Sequence, residues 1–318
     1  MERDDQDTST GAAGRRAGVA LSLLAALGGA VALVAYKAAG ERAGATAVVL
    51  AAMLCAALLH TAVLGRPLRT LARAWQRRGA GGLDARDWPG RAEVALGAFL
   101  ALCTVAANLA VLRALASLNP ALTSVLTKTE VLLVAALAWP LLGERASPLF
   151  GAGALMAVAG FAVMHAPGAH GLAVDAGSLW AVAAAAAWAL MHVVARKHIH
   201  RVRPGTVNGV RLWLTAASLM LIPGGLQGLA GLDVRTWLLC GLAALAGPFL
   251  ARLSLLHAVR HLSASHSTLL SLAGPVFAAV LALAVFGVVP SLRELAGAAL
   301  VLAGVLLPAR ELAATAAR

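Results

Sequence analysis

Apolar stretches of about 20 residues follow one another along most of this chain, with no strand-like alternation of polar and apolar positions inside them. That length spans the hydrocarbon layer of a bilayer as an α-helix, in which every backbone N–H and C=O finds its partner within the segment. Composition agrees: 60% of the residues are hydrophobic and 13% are charged, against about half and a quarter in a soluble domain. The expectation is an all-α integral membrane protein. Ten spans can be drawn, at approximately 17–38, 45–64, 92–114, 120–142, 148–166, 177–195, 206–226, 236–258, 265–286 and 294–308.

The net charge of +12 raises nucleic acid as a partner, but the basic residues sit in short segments between apolar spans, where they orient a membrane protein. With the N-terminus inside, 18 of the 26 Lys and Arg residues fall on the inner side. Five (Lys37, Arg42, Arg113, Arg235 and Arg293) fall on the outer side, and Lys128, Arg211 and Arg252 lie within spans. This bias predicts that both termini are cytoplasmic, in a bacterial-type inner membrane, with the bilayer and not nucleic acid as partner. Arg15 and Arg16 precede an apolar run that continues for about 20 residues into a second span, so an uncleaved helix is expected rather than a signal peptide. Residues 1–16 read as a polar, disordered cytoplasmic tail, 65–91 as a basic Gly-rich cytoplasmic loop, and 309–318 as a second tail. Cys55, Cys103 and Cys240 all fall inside spans and read as small packing residues. No cofactor and no metal site is expected.

The second half of the chain repeats the first. An offset of 144 carries Gly153 and Gly160 onto Gly297 and Gly304, Gly143 onto Gly287, and Gly97 onto Gly241. It also pairs Thr123 with Ser267, Thr127 with Ser271, and Asn108 with Arg252. The first and sixth spans align at an offset of 160, the extra length lying in the 65–91 loop. Ten spans then divide into two units, 17–166 and 177–308. An odd number of spans per unit sets the two copies in opposite orientations, the inverted-repeat arrangement of many secondary transporters.

Across the fourth and fifth spans the sequence resembles the EamA family of the drug/metabolite transporter superfamily. The resemblance is carried by Asn119-Pro120-Ala121-Leu122, Thr129-Glu130-Val131, Leu141-Leu142-Gly143-Glu144-Arg145, Gly151-Ala152-Gly153 and Ala159-Gly160. Gly274-Pro275-Val276-Phe277, Gly287, Gly297 and Ala303-Gly304 carry it in the second copy. It implies ten helices in two inverted five-helix repeats and, in most members, export of small metabolites or drugs, often amino acids. Departures are visible: Val131 follows Glu130 where an acid-Pro pair is frequent, Gly274 stands in the acid's place in the second copy, and Gly28-Gly29-Ala30-Val31 replaces the usual polar run of the first span.

Ionisable residues within a membrane are costly and tend to mark pathways. Glu130 lies about 16 Å from the outer end of its span at ~1.5 Å per residue. Thr123, Thr127 and Glu130 share a helical face by i, i+4, i+7 spacing, whereas Lys128 points elsewhere. Two readings stand for Glu130. In one it lines a cavity with the hydroxyls, binding a cationic group or a proton that competes with it. In the other it forms a structural ion pair with Arg252, Arg211 or Lys128. Arg252 either grips a carboxylate or snorkels to the cytoplasmic end, and Arg211 is expected to snorkel. Trp188 and His192, one turn apart, form a candidate aromatic, titratable wall together with Asn108 in the third span and Ser267 and Ser271 in the ninth. Trp213 is a further candidate for the wall. The paired glycines allow close helix approach, between the fifth and tenth spans or against a second copy of the chain.

The function expected is alternating-access export of a small molecule, an amino acid or related amine or drug, with proton coupling. A membrane-embedded enzyme acting on a lipid or prenyl substrate would need a nucleophile, a metal cluster or paired acids, and no HExxH, GxSxG or Asp-rich motif occurs. A non-transporting sensor or scaffold would need a soluble domain, and none is expected in these 318 residues.

Overall fold

The computed structural model describes residues 2–64, 89–142, 148–164, 175–198, 202–251, 254, 270 and 273–315. Every regular element among them is helical. In chain order these are α1 (Glu2–Gly40), α2 (Ala45–Leu64), α3 (Arg91–Ser117), α4 (Pro120–Thr127), α5 (Glu130–Leu142), α6 (Pro148–Met164), α7 (Ala176–His198) and α8 (Pro204–Leu221). They are followed by the short α9 (Leu226–Ala230), α10 (Val234–Ala244) continuing into a π-helical turn (Leu245–Ala251), α11 (Gly274–Phe286) and α12 (Leu292–Thr315).

Five helices among the described residues are long and apolar enough to cross a membrane: Arg16–Gly40, Ala45–Val63, Arg91–Ser117, Ala176–Ala195 and Val234–Ala251. Side chains such as Leu102, Leu155, Leu221 and Leu238 face outward, more than two-thirds exposed. The interior is built of Ala, Val and Leu from α1, α2, α3, α8 and α10. An apolar exterior around a close-packed interior matches a lipid solvent, and this is an integral membrane protein. α1 begins at Glu2, and no proline interrupts it before the apolar run. The eighth span is not a uniform α-helix. Pro248 has no N–H to give, and the helix widens around it into the π turn.

The duplication is visible in the packing. α3 lies on α7 and α8, and its counterpart α10 lies on α1 and α2; α5 lies on α7 as α11 lies on α1. Other pairs join equivalent helices to each other, α2 with α8 and α6 with α12, and α4 lies on α11. The α6–α12 contact resolves this residue by residue. A Cβ on Gly160 would meet the Gly297 oxygen at 2.6 Å, the Val301 nitrogen at 2.7 Å and the Leu300 Cβ at 2.9 Å. A Cβ on Gly304 would meet the matching atoms of Gly153, Ala157 and Met156. Each of these partners is displaced by the same 144 residues. Residue 153 lies opposite 304 and residue 160 opposite 297, so the two helices run antiparallel about a local twofold axis, as an isologous contact requires. The paired glycines serve contact within one chain.

Polar ties sort the helix ends into two sets. At one end Arg42 Nη2 donates to Asp233 Oδ2 at 2.8 Å, Lys37 Nζ to the Leu115 oxygen at 2.6 Å, and Ser117 Oγ to Asp175 Oδ2 at 3.1 Å. At the other end Arg203 Nε and Nη2 grip Glu93 Oε1 and Oε2 at 2.8 and 2.9 Å, and the same carboxylate accepts from Gly90 N at the start of α3. Both acids cap the third helix of one repeat, and both arginines precede the second helix of the other repeat. Hydrogen bonds from Thr236 and the guanidinium of Arg42 hold the Asp233 carboxyl well below the usual carboxylate range. A lowered folded-state pKa means that this tie contributes fully above the unfolded value, about 4, and is lost only as pH falls through the folded value. The melting difference between wild type and Arg42→Ala in detergent is therefore expected to be the same at pH 7 and pH 5, and to vanish in stronger acid.

Candidate functional site

The site begins with a break in the fourth span. Asn119 caps α4 by accepting the Leu122 N–H at 2.8 Å, and Pro120 occupies the first turn. The helix ends after eight residues. Lys128 N bonds to the Val125 oxygen and Thr129 N to the Leu126 oxygen, at 3.0 and 3.1 Å, three residues back instead of four. Thr127 and Thr129 hydroxyls donate to the Ser124 and Leu126 oxygens at 2.9 and 2.7 Å, competing for the carbonyls of that turn. α5 then restarts at Glu130. The tightened turn changes the angle between neighbouring side chains, and Lys128 and Glu130 line the same cavity rather than separate faces.

That cavity holds about 350 Å3 and lies between α1, α3, the α4–α5 break, α7, α8, the π turn and α11. Gly29 and Ala30 of α1 and Gly247 and Pro248 of the π turn form a wall of small side chains, which leaves the volume open. Its polar wall includes Asn108, Thr127, Lys128, Glu130 and His192, with Trp188 beside them. Six of the residues expected from sequence therefore meet at one place. Thr123 does not: it is fully buried, and its hydroxyl donates to the Asn119 oxygen at 3.0 Å. The α4–α5 break interrupts the stripe on which it was placed. Trp213 is also off the wall, at the bundle surface, where its Nε1 donates to Thr61 Oγ1 at 3.1 Å. Arg252, Ser267 and Ser271 lie outside the described residues.

Glu130 has a partner that sequence reading did not assign to it. Its Oε1 meets Nδ1 of His192, which α7 presents one turn beyond Trp188. Lys128 extends over the second repeat, with Cε 3.7 Å from where a Cβ on Gly274 would stand. Lys128 therefore lies within van der Waals reach of the position that stands in the acid's place in the second copy.

Arg211 is the residue sequence reading missed. Expected to snorkel, it is instead buried and on the cavity wall. Its Nη1 donates to Thr104 Oγ1 at 3.1 Å, and its Nε and Nη2 donate to Asn208 Oδ1 at 3.2 and 2.8 Å. The amide of Asn208 in turn reaches His60 Nδ1 at 3.2 Å, while His60 Nε2 faces the Gly205 oxygen at 3.2 Å. These contacts are mutually consistent when the imidazole carries its proton on Nε2. Asn208, three residues before Arg211, is the local signal: a polar pair on one helical face inside a span.

The profile of the EamA-like transporter family matches residues 16–165 and 175–309, one match for each repeat. A solved structure described only as "Crystal structure of protein" is similar in fold, with a TM-score of 0.58 and 23% sequence identity, over 92% of this chain and 95% of its own. No curated protein matches. With both halves of the sequence matched and the two-repeat packing in place, this chain belongs to the EamA-like transporter family, membrane transporters of the drug/metabolite transporter type.

Proposed function

We propose that this protein is a secondary transporter that exports a small metabolite, an amino acid or related amine, by alternating access and in exchange for protons. In this reading ten helices form two inverted five-helix repeats, both termini are cytoplasmic, and the protein resides in a bacterial-type inner membrane. The observation that carries the reading is the cavity of about 350 Å3 at the break in the fourth span, with the Glu130–His192 pair and Lys128 on its wall. Interrupted helices at a repeat interface put backbone and charged groups where a substrate and a coupling ion can be exchanged. Glu130 is the coupling group: it takes a proton when the substrate leaves and releases it when a cationic group arrives. Asn108, Thr127 and Trp188 contribute hydrogen bonds and an aromatic face to the bound molecule, and Ser267, Ser271 and Arg252 are the second repeat's candidates by sequence.

Counterflow in liposomes tests this. Purified protein is reconstituted with a panel of unlabelled amino acids, amines and sugars inside, and uptake of the labelled compound is measured outside. Exchange of at least one amino acid or amine is expected, with a rate that depends on the pH difference. A protein that exchanges nothing in the panel, or only sugars, would overturn the reading.

A further inference from the structure

Two adjacent glycines of α1 stand in opposite surroundings. A Cβ on Gly28 would stand 2.5 Å from the Ala246 oxygen and 3.2 Å from the Ala251 Cβ, and one on Gly247 would stand 2.9 Å from the Ala32 Cβ. Positions 28 and 32, one turn apart, therefore press α1 onto the π turn. Gly29 is rotated by about 100° from Gly28 around the helix. It lines the cavity, and no atom of the described residues stands within 4 Å of an added Cβ. Glycine at 28 serves the helix contact, whereas glycine at 29 keeps a socket open in the cavity wall.

The surroundings of that socket are apolar. Ala25, Ala26 and Leu33 continue the α1 side, and Met53, Trp188 and Met191 line the same cavity. Thioether and indole side chains accept aliphatic and aromatic groups of varied shape. Asn108, Thr127, Glu130 and His192 come from α3, α4, α5 and α7 instead. Among the α1 residues on the wall, Tyr36 alone has a polar side chain. It is buried, and its hydroxyl has no hydrogen-bond partner among the described residues. A buried hydroxyl in that condition is costly, and an acceptor on a bound molecule removes the cost. We propose that the α1 face is the specificity-determining wall of this cavity and Gly29 its size filter, so that the ligand is an amino acid with an aliphatic or aromatic side chain. The side chain lies against Gly29 and Leu33, the polar head lies on α3, α5 and α7, and a carboxylate oxygen accepts from the Tyr36 hydroxyl.

This ligand class rests on the transport reading for its site, but binding alone tests it. Purified protein in detergent, with protein-free micelles as the blank, is titrated with glycine, alanine, valine, leucine and phenylalanine, and with serine and glutamine as polar counterparts. Dissociation constants are read by equilibrium dialysis. Wild-type affinity is expected to rise roughly 3- to 4-fold per added side-chain methylene up to a size limit, with serine and glutamine bound no better than alanine. Gly29→Leu should lower that limit, weakening the largest ligand of the wild type by roughly 10- to 100-fold while alanine binding and the melting temperature are kept. Gly29→Ala should do the same in smaller measure. Gly28→Leu, one residue away, should lower the melting temperature and leave the size limit where it is. Tyr36→Phe should weaken every member of the series by a similar factor, because the hydroxyl meets the part of the ligand they share. A wild type that binds none of the series or ignores side-chain size, a limit unmoved by Gly29→Leu, a Gly29→Ala protein that does not fold, or full binding by Tyr36→Phe would each overturn the proposal. Size-limited binding without counterflow would retain the filter and sink transport, and amino acid counterflow indifferent to Gly29→Leu would do the reverse.

Discussion

Glu130→Gln is expected to abolish the pH dependence of efflux and to lower the exchange rate by roughly 100-fold, with the protein still folded in the membrane. Glutamine matches glutamate in size and can still meet His192 Nδ1, so the α5–α7 contact is kept. What is lost is the only carboxylate on the wall among the described residues, and with it the group that can exchange a proton for a cationic substrate atom. A purely structural role for the pair gives a different result: lowered melting temperature and unchanged pH dependence in the surviving protein. Normal pH-dependent efflux by a monodisperse Glu130→Gln protein would remove Glu130 from the coupling step. His192→Gln is the companion measurement. It keeps a hydrogen-bonding neighbour but no titrating ring, and is expected to shift the pH profile rather than erase it.

The second large effect is on folding. Gly160→Leu is expected to destabilise the protein by about 1–3 kcal/mol or more, because a side chain there meets backbone atoms of the facing helix, and only separation of the helices relieves the overlap. Gly304→Leu should cost the same, since its surroundings are those of Gly160 carried to the other copy. Gly151→Leu on the same helix should cost little, as nothing stands within 4 Å of its added Cβ. Melting temperature and the monodisperse fraction in detergent distinguish the three. The double variant should fall short of the sum, because both substitutions push apart one pair of helices. Equal melting for Gly160→Leu and Gly151→Leu would show that the α6–α12 contact does not carry this load.

The helix contact is where sequence reading worked best, and for a physical reason. Two copies that keep small residues at the same positions advertise a close approach, and only the partner was left open between Gly297 and Gly304 of the same chain and another copy. The site was legible in part. Glu130, Lys128, Asn108, Thr127, Trp188 and His192 were chosen as polar or aromatic groups deep in spans, and all six line one cavity. Reading faces from a uniform 3.6-residue period failed where the helix is not uniform. The 125–131 turn is tightened, so Thr123 and Lys128 were assigned the wrong sides. Arg211 was misjudged from its depth alone. What holds it is Thr104, 107 residues away on α3, a tertiary partner with no local signature, together with Asn208, the one local signal that was passed over.

Gly97 and Gly241 are equivalent by the same offset, but they are not equivalent in space. A Cβ on Gly97 would stand 2.6 Å from Val210 Cγ1, whereas nothing lies within 4 Å of one on Gly241. The two copies are thus packed differently at this pair of positions. In the proposed alternating-access cycle, exchanging the roles of the two copies would give a second arrangement built from the same kinds of contact. The residues that the copies do not share, Glu130 against Gly274 and Lys128 against Leu272, then set a small bias between them. A ligand or a proton binding there has only that small bias to overcome.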